Sequence, residues 1–458
     1  MGLKDTRSSW CNTDPTYPTS SDSTWETTVS PITRIPVELL SKIFFAYVEW
    51  EKHKMRFRGR GVTIWPGSPV TPFVLTWICR SWRNLALSLP RLWCRVSISS
   101  PRSFQIHILK LWLQRSQSYP LNMWATLYGD TSSNRITAAT IMSVNSRWES
   151  INLRLRPDVQ EICSSCLTFG SSELLQSFFI DMGGAWSPIN ASRFCSFMFS
   201  APLLRLSCWY NAQEQPRAID HQMWASVTHL HIGTIHLPRL LRALKECRQL
   251  QLLQIGVCTD SGNPLVADAV VTLPSLRSLY LQVRNTACLV RHLQLPNIRR
   301  LRLSSGFFSS DDMSEDPAAL LLLMLNRSQC LLDSFTLSRC RESSTGYVDN
   351  QILLTLLRCQ QLRNLRDLMI GTTVDIIFIQ ALTGSAGDDV LLPKLRSLKL
   401  SNCNAADRVI KEMLSSRTAS MRPVQYITPT DMSCGADSQW PILELGLRRK
   451  LPLWQFLT

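Results

Sequence analysis

From residue 36 the apolar positions fall into a helical rhythm. Pro36, Leu39, Leu40, Ile43, Phe44 and Tyr47 stand at i, i+3, i+4, i+7, i+8 and i+11, one stripe of an amphipathic helix. Pro36 suits a first helical turn, where a missing N–H costs nothing. Upstream, residues 1–30 are rich in Ser, Thr and Asp and almost free of periodic apolar positions, so a disordered leader is expected. Downstream, 49–71 loses the rhythm and carries Gly59, Gly61, Pro66, Gly67 and Pro69, the composition of a loop. Two short helices are expected next, Phe73 to about Cys79 and Ser81 through Leu87, the second with Trp82, Leu85 and Ala86 on one face. Pro90-Arg91-Leu92-Trp93 closes this unit. A further helix is predicted from Pro101 to about Ser116, with Ser100 as its N-cap and Phe104, Ile108, Leu111 and Trp112 as its stripe.

Beyond residue 120 the pattern changes to repetition. Leu273-Pro274-Ser275-Leu276-Arg277-Ser278-Leu279-Tyr280-Leu281 returns as Leu295-Pro296-Asn297-Ile298-Arg299-Arg300-Leu301-Arg302-Leu303 and as Leu392-Pro393-Lys394-Leu395-Arg396-Ser397-Leu398-Lys399-Leu400. The relaxed form apolar-x-x-apolar-x-apolar adds Trp148/Ile151/Leu153, Leu175/Phe178/Ile180, Leu203/Leu206/Cys208, Val227/Leu230/Ile232, Leu250/Leu253/Ile255, Leu332/Phe335/Leu337 and Leu365/Leu368/Ile370. The middle anchors recur at intervals between 22 residues (279 to 301) and 34 residues (301 to 335), around the leucine-rich-repeat range. Each unit reads as a short strand followed by a helix, with helical candidates at 238–248, 317–326, 348–358, 375–382 and 406–415. One such unit cannot bury its apolar face alone, so neighbours must stack into a curved solenoid with strands along the inner wall. Leu121 and Met123 are expected to form the entering strand.

Composition narrows the function classes. Of 458 residues 45% are apolar and 18% charged, ample for a large core. The longest apolar run, Ala318–Leu325, is far short of the roughly 18–20 residues that span a bilayer, and Met1-Gly2-Leu3 opens no secretory signal. An intracellular protein, cytoplasmic or nuclear and neither secreted nor membrane-bound, is the expectation. The bare Met1-Gly2…Thr6 acylation pattern is too short to change that. The 15 cysteines are scattered singly, which suits reduced core residues, and the lone pair Cys163/Cys166 lacks the partners of a zinc or redox site. His229 and His231 share one face of a strand without a third ligand, as surface polar residues would. No phosphate loop, HExxH or GxSxG elbow is present, so no enzyme, metal or cofactor is expected. Net charge is +15, from 49 Lys plus Arg against 34 Asp plus Glu, and favours anionic partners. Only one basic run is dense, Lys52, Lys54, Arg56, Arg58 and Arg60, and it reads as a solvated insertion.

The block Ile35-Pro36-Val37-Glu38-Leu39-Leu40-Ser41-Lys42-Ile43-Phe44, followed by Cys79-Arg80-Ser81-Trp82-Arg83-Asn84-Leu85-Ala86 and Pro90-Arg91-Leu92-Trp93, resembles the F-box as found in large families of mushroom-forming fungi. Ile35 stands where the family usually has Leu, and the 49–71 loop is longer than a compact F-box needs. A looser resemblance to fungal F-box proteins extends through the repeats. The resemblance implies an α/β chain: a short three-helix F-box at 31–93, a linking helix at 94–119, and a leucine-rich-repeat-like solenoid from 120 to 458 with an irregular end. It also implies an adaptor role in an SCF ubiquitin ligase, with the helices docked on a Skp-type adaptor and its cullin and the repeats holding an unknown protein client. By that resemblance Ile35, Pro36, Leu39, Leu40, Ile43, Phe44 and Trp82 contact the adaptor or support the contact.

From the residues alone, three helices of this size are marginal by themselves, and their stripe either docks on a partner or packs on the downstream repeats. Positions beside the buried pairs face the concave wall: Arg154, Arg205, Trp209, His229, His231, Gln254, Tyr280, Gln282, Arg300, Arg302, Thr336, Asp367 and Lys399. Arg154, Trp209, His229, His231, Tyr280, Arg300, Arg302 and Lys399 are the candidate client contacts, with Arg300 and Arg302 suited to hold a carboxylate or phosphate. The alternative is a scaffold outside the ubiquitin system, or a nucleic-acid-binding repeat protein using its basic surface. The basic residues are spread rather than interleaved with aromatics, which argues against nucleic acid.

Overall fold

The computed structural model describes residues 34–50, 61–63, 71–99, 101–128, 132–165, 167, 172–182, 186–210, 224–259, 270–282, 286–308, 316–339, 348–383, 390–419 and 425–427. The expected leader at 1–30 and the basic run at 52–60 lie outside them. The front helices are α1 (Val37–Trp50), α2 (Pro72–Ile78) and α3 (Arg80–Ser88), followed by a 3₁₀ turn at Pro90–Trp93; α4 is Ser103–Arg115. The main sheet contains β1 (Gly61–Thr63), β2 (Arg95–Ser99), β3 (Leu121–Leu127), β4 (Trp148–Leu155), β5 (Ser177–Met182), β6 (Leu206–Tyr210), β7 (His229–His236) and β8 (Leu252–Thr259). After the short β9 (Val271–Thr272) it continues through β10 (Ser278–Leu281) and, past β11 (Leu293–Gln294), through β12 (Arg300–Ser304), β13 (Ser334–Ser338), β14 (Asp367–Val374), β15 (Ser397–Cys403) and β16 (Gln425–Ile427). β9 and β11 pair only with each other.

These 14 strands stack in chain order, all parallel except β1, which runs antiparallel on β2. With helices returning the chain between successive strands, the fold is α/β and solenoid-like. The predicted helices appear at Leu237–Glu246, Pro317–Ser328, Asn350–Leu357, Ile376–Leu382 and Asp407–Ala419. Two apolar columns fill the core side of the sheet. One runs Val96, Met123, Ile151, Phe178, then Leu230, Leu253, Leu279, Leu301, Phe335, Leu368 and Leu398, all buried. The column is interrupted at β6 by Ser207, fully buried, with a hydroxyl that finds no partner.

A second device holds the register. Where the chain enters each strand, a backbone carbonyl accepts the N–H of the equivalent residue one repeat on: Gln176 bonds Glu149, Arg205 bonds Gln176, Thr228 bonds Arg205, Gln251 bonds Thr228 and Arg277 bonds Gln251. The series continues with Arg299 on Arg277, Asp333 on Arg299, Arg366 on Asp333 and Arg396 on Arg366, every N···O distance lying between 2.7 and 2.9 Å. Satisfying these groups internally lets the entry turns be as regular as the strands themselves.

The structure departs from expectation at the front. The parallel series starts at β2, not at Leu121, because Trp93, Val96 and Ile98 already follow the apolar-x-x-apolar-x-apolar pattern and are buried. Gly61–Thr63, expected as loop, is the edge strand β1. In α4 the start is Ser103, with the Arg102 N–H bonded to the Gln105 side-chain oxygen at 2.8 Å, so Ser100 is not the cap. Its buried face is Ile106, Leu109, Trp112 and Leu113, leaving Phe104 61% exposed.

Trp93 therefore serves two units at once. Its ring meets Phe73 of α2 and Trp112 of α4 edge-on at 5.1 and 5.6 Å, and its indole N–H donates to the Ala86 carbonyl of α3 at 2.9 Å. The Arg115 guanidinium lies 4.7 Å from the Phe73 ring centre and 4.6 Å from that of Trp93, with burial lowering its proton affinity. This aromatic weld fixes the front helices onto the first repeat.

Candidate functional site

Two surfaces emerge, one on the front helices and one along the sheet. On α1 two apolar stripes separate. Leu40, Phe44 and Val48, four apart, are buried, with the Phe44 ring 4.9 Å from that of Trp82. Pro36, Leu39 and Ile43 face outward, Leu39 being 50% and Ile43 47% exposed. Of the residues expected to contact the adaptor or to support the contact, Leu40 and Phe44 lie in the core, where only a supporting part is open to them, and Ile35 and Trp82 are half-buried against it. Sequence reasoning missed Trp77, 72% exposed, and Ile78, 54% exposed, at the end of α2. Their signal was the run Phe73–Ile78, apolar on more sides than a seven-residue helix can bury. α2 is tied to α3 by the Arg83 side chain, which donates to the Thr76 carbonyl at 2.7 Å, so the exposed indole sits on a braced element.

On the sheet, register sorts the concave candidates. Tyr280, Arg302 and Lys399 fall on one outward row, joined through Thr336 and Met369 on the intervening strands; Arg300 and Asp367 fall on the next row, and Arg154 beside Asp181 on a third. Trp209 does not join them. The pairing of β6 is one residue out from the expected frame, so Trp209 shares the register position of Ile180 and Ile232, both core, while Cys208 lies between Phe179 and His231. A one-residue slip exchanges the two faces of a strand. Arg205 lies in the turn leading into β6 rather than on the concave rows.

The outward row changes character along the solenoid. From β2 to β8 its members Ser97, Trp124, Asn152, Phe179, Cys208, His231 and Gln254 are all buried. From β10 to β15 Tyr280, Arg302, Thr336, Met369 and Lys399 are half-exposed. Along this row the positions that reach solvent are those of the C-terminal half. There the Arg302 guanidinium stacks 4.8 Å over the Tyr280 ring, which fixes its orientation, and its Nε has no hydrogen-bond acceptor.

His231 is not a surface residue, and His229 is half-buried. His231 is 2% exposed and burial holds its imidazole well below the usual value near 6.5; His229, bonded to the Thr228 hydroxyl at 2.9 Å, is lowered for the same reason. Cys208, the strand neighbour of His231, is pushed well above the ordinary thiol range by burial, then by Asp181, against a smaller opposing effect of Arg154. An unfolded chain holds more protons than the folded one once pH falls below 6.5, so stability is complete above that value and is lost as pH falls toward the lowered native values. Urea unfolding between pH 7 and 5 should show stability falling by up to about 1.4 kcal/mol per pH unit for each imidazole. His231→Gln should flatten the part of that slope due to His231; an unchanged slope would remove the assignment.

Among the described residues no group of His, Cys, Asp and Glu is arranged to hold a metal ion, and no helix is long and apolar enough to cross a membrane. Cys163 is buried in the helix Gln160–Ser165, and Cys166 lies outside the described residues.

No protein-family model matches the chain. It is 27% identical over 191 residues to a transcriptional regulatory protein, MoaR1, from Mycobacterium bovis, a stretch that covers 41% of this chain and 55% of that protein. The chain thus spans little more than half of that relative's length. Among solved structures, a structural-genomics protein from Bacteroides fragilis aligns with a TM-score of 0.38 at 13% identity, over 66% of this chain and 84% of the other. Neither likeness assigns a family or an activity.

Proposed function

We propose that the chain is the client-selecting subunit of an SCF-type ubiquitin ligase: α1 to α3 act as an F-box that docks on a Skp-type adaptor, and the leucine-rich-repeat-like solenoid holds a protein client. The observation that carries this is the pair of faces on the front helices. Leu40, Phe44 and Trp82 hold the helices together, which leaves Leu39, Ile43, Trp77 and Ile78 unspent in water. Large apolar side chains grouped on one small unit mark a protein-docking surface. A client on the repeats would then be kept beside a conjugating enzyme brought by the cullin, and ubiquitin transfer would gain from effective concentration.

The test is capture of a Skp-type adaptor by the full chain. Ile43→Asp together with Trp77→Asp should abolish capture, each apolar anchor contributing about 2 kcal/mol or more, while the thermal unfolding profile stays unchanged because both side chains are exposed. Leu40→Asp is unsuited to this purpose, since it places a carboxylate in the core. Capture at wild-type strength by the double variant ends the docking assignment.

A second reading, a nucleic-acid-binding repeat protein, is favoured by the +15 charge and by the likeness to a transcriptional regulatory protein. It requires RNA or DNA affinity that falls steeply with added salt.

A further inference from the structure

The backbone series that sets the register also builds a charged column. In the C-terminal half the residues that lead into successive strands are Arg277, Arg299, Asp333, Arg366 and Arg396, and each one's N–H is bonded to the carbonyl of the one before at 2.8–2.9 Å. Their backbones are therefore locked side by side at the inter-strand spacing of about 4.8 Å. All four arginines are exposed. Arg277, Arg366 and Arg396 make no ion pair with any described residue, and Arg299 meets Asp333 only at 4.0 Å with both side chains substantially exposed, a contact that a ligand's carboxylate can replace at little cost. Beside this column, on the open concave rows, stand Arg300, Arg302 and Lys399. Seven cations face two carboxylates, Asp333 and Asp367, in the part of the solenoid that is open to solvent.

We propose that this column is the docking track for an acidic, extended segment of a protein client. The inference rests on reading the repeats as a client-binding surface, and it supplies the ligand class. From Arg277 to Arg396 there are four strand steps, roughly 19 Å, the length of about six residues of extended peptide. Guanidinium forks match carboxylate and phosphate oxygens in pairs, which the predominance of Arg over Lys in the column suits. A single-stranded nucleic acid would need aromatic platforms between its phosphate contacts. Across β10 to β15 the outward rows hold one aromatic, Tyr280, and its ring is already covered by Arg302. Charge complementarity without stacking surfaces favours the peptide.

The experiment is fluorescence anisotropy with the full chain and three labelled probes: a six-residue glutamate peptide, a neutral Gly/Ser peptide of equal length and oligothymidine. A fourth probe, carrying phosphoserine in place of two glutamates, distinguishes carboxylate from phosphate recognition within the same chemistry. The acidic peptide should bind saturably and the neutral one should not. The quadruple variant Arg277→Glu, Arg299→Glu, Arg366→Glu and Arg396→Glu should weaken acidic-peptide binding by roughly tenfold or more. Reversal of Arg239, Arg242 and Arg248, exposed on and just beyond the convex helix Leu237–Glu246, should change it less than about twofold. Should the quadruple variant misfold, the four-fold Arg→Gln version removes the charge without adding repulsion and must show the same loss in smaller degree. Unchanged peptide affinity in these variants, equal loss in the convex control, or tighter binding of oligothymidine than of peptide would each overturn the proposal. Adaptor capture is scored separately on the same quadruple variant and should be retained, so a failure of the track and a failure of the ligase reading are told apart.

Discussion

Trp93→Ala is expected to produce the largest single loss of stability at the front of the molecule, about 3–5 kcal/mol. The side chain is fully buried between Phe73 and Trp112, and its removal opens a cavity that the three flanking helices cannot close together. It also leaves the Ala86 carbonyl without its donor, adding about 1 kcal/mol. Repeat stacks distribute stability over neighbouring units, so the damage should remain local rather than appear as one cooperative transition. Hydrogen exchange is the appropriate measurement: amides of α1 to α3 and β2 should exchange far faster in the variant, while those of β12 to β15 keep their protection. Uniform loss along the chain would mean that the front helices and the repeats are not joined as described.

Gly256→Ala should be the most damaging small change in the middle of the sheet. A Cβ at this position would lie 2.3 Å from the Gly233 carbonyl oxygen and 3.3 Å from its Cα, so the obstacle is the backbone of the adjoining strand and not a side chain that can swing away. Overpacking of this kind costs about 1–3 kcal/mol, and the upper end applies because β7 and β8 must move apart between the paired residues Ile232/Ile255 and Thr234/Val257. Gly371→Ala is the graded comparison, with nearest contacts of 3.0 and 3.1 Å to the Arg339 nitrogen and the Leu337 oxygen, and should cost less. Thermal unfolding of the two variants beside the wild type checks the order. An unperturbed Gly256→Ala protein would mean that the two strands are further apart than they stand here.

The parts legible in the sequence were those where one physical signal acted without a competitor. The repeats at 273–281, 295–303 and 392–400 carry leucine or isoleucine at every core position, and their strands lie where the pattern put them. The β6 frame was misread because Leu203, Leu206 and Cys208 satisfy the apolar pattern, while in the actual frame Leu204 is followed by Ser207 at the position where the other strands carry a large apolar residue. The first strand was hidden for the opposite reason: Trp93, Val96 and Ile98 fit the repeat, but Trp93 already closed the front unit. On α1 the stripe itself was correctly seen, yet apolar side chains at both 39/43 and 40/44 left periodicity unable to choose which pair meets the core. That choice is made by Trp82 and the weld, which are tertiary contacts. The arginine column was unreadable because its members are separated by 22 to 34 residues, from 277 to 299 and from 299 to 333. Only the stacking of turns aligns them.

Because the front helices are fused to the first turn of the stack and each later turn is bolted to its predecessor through the backbone, the molecule behaves as a gauge of fixed length. Seven strand steps separate β2 from β10, about 34 Å measured along the sheet. Adding or deleting one whole turn between them would shift the far strands relative to the front helices by a single notch of about 4.8 Å. Spans of that kind are set by counting, and they change in discrete increments.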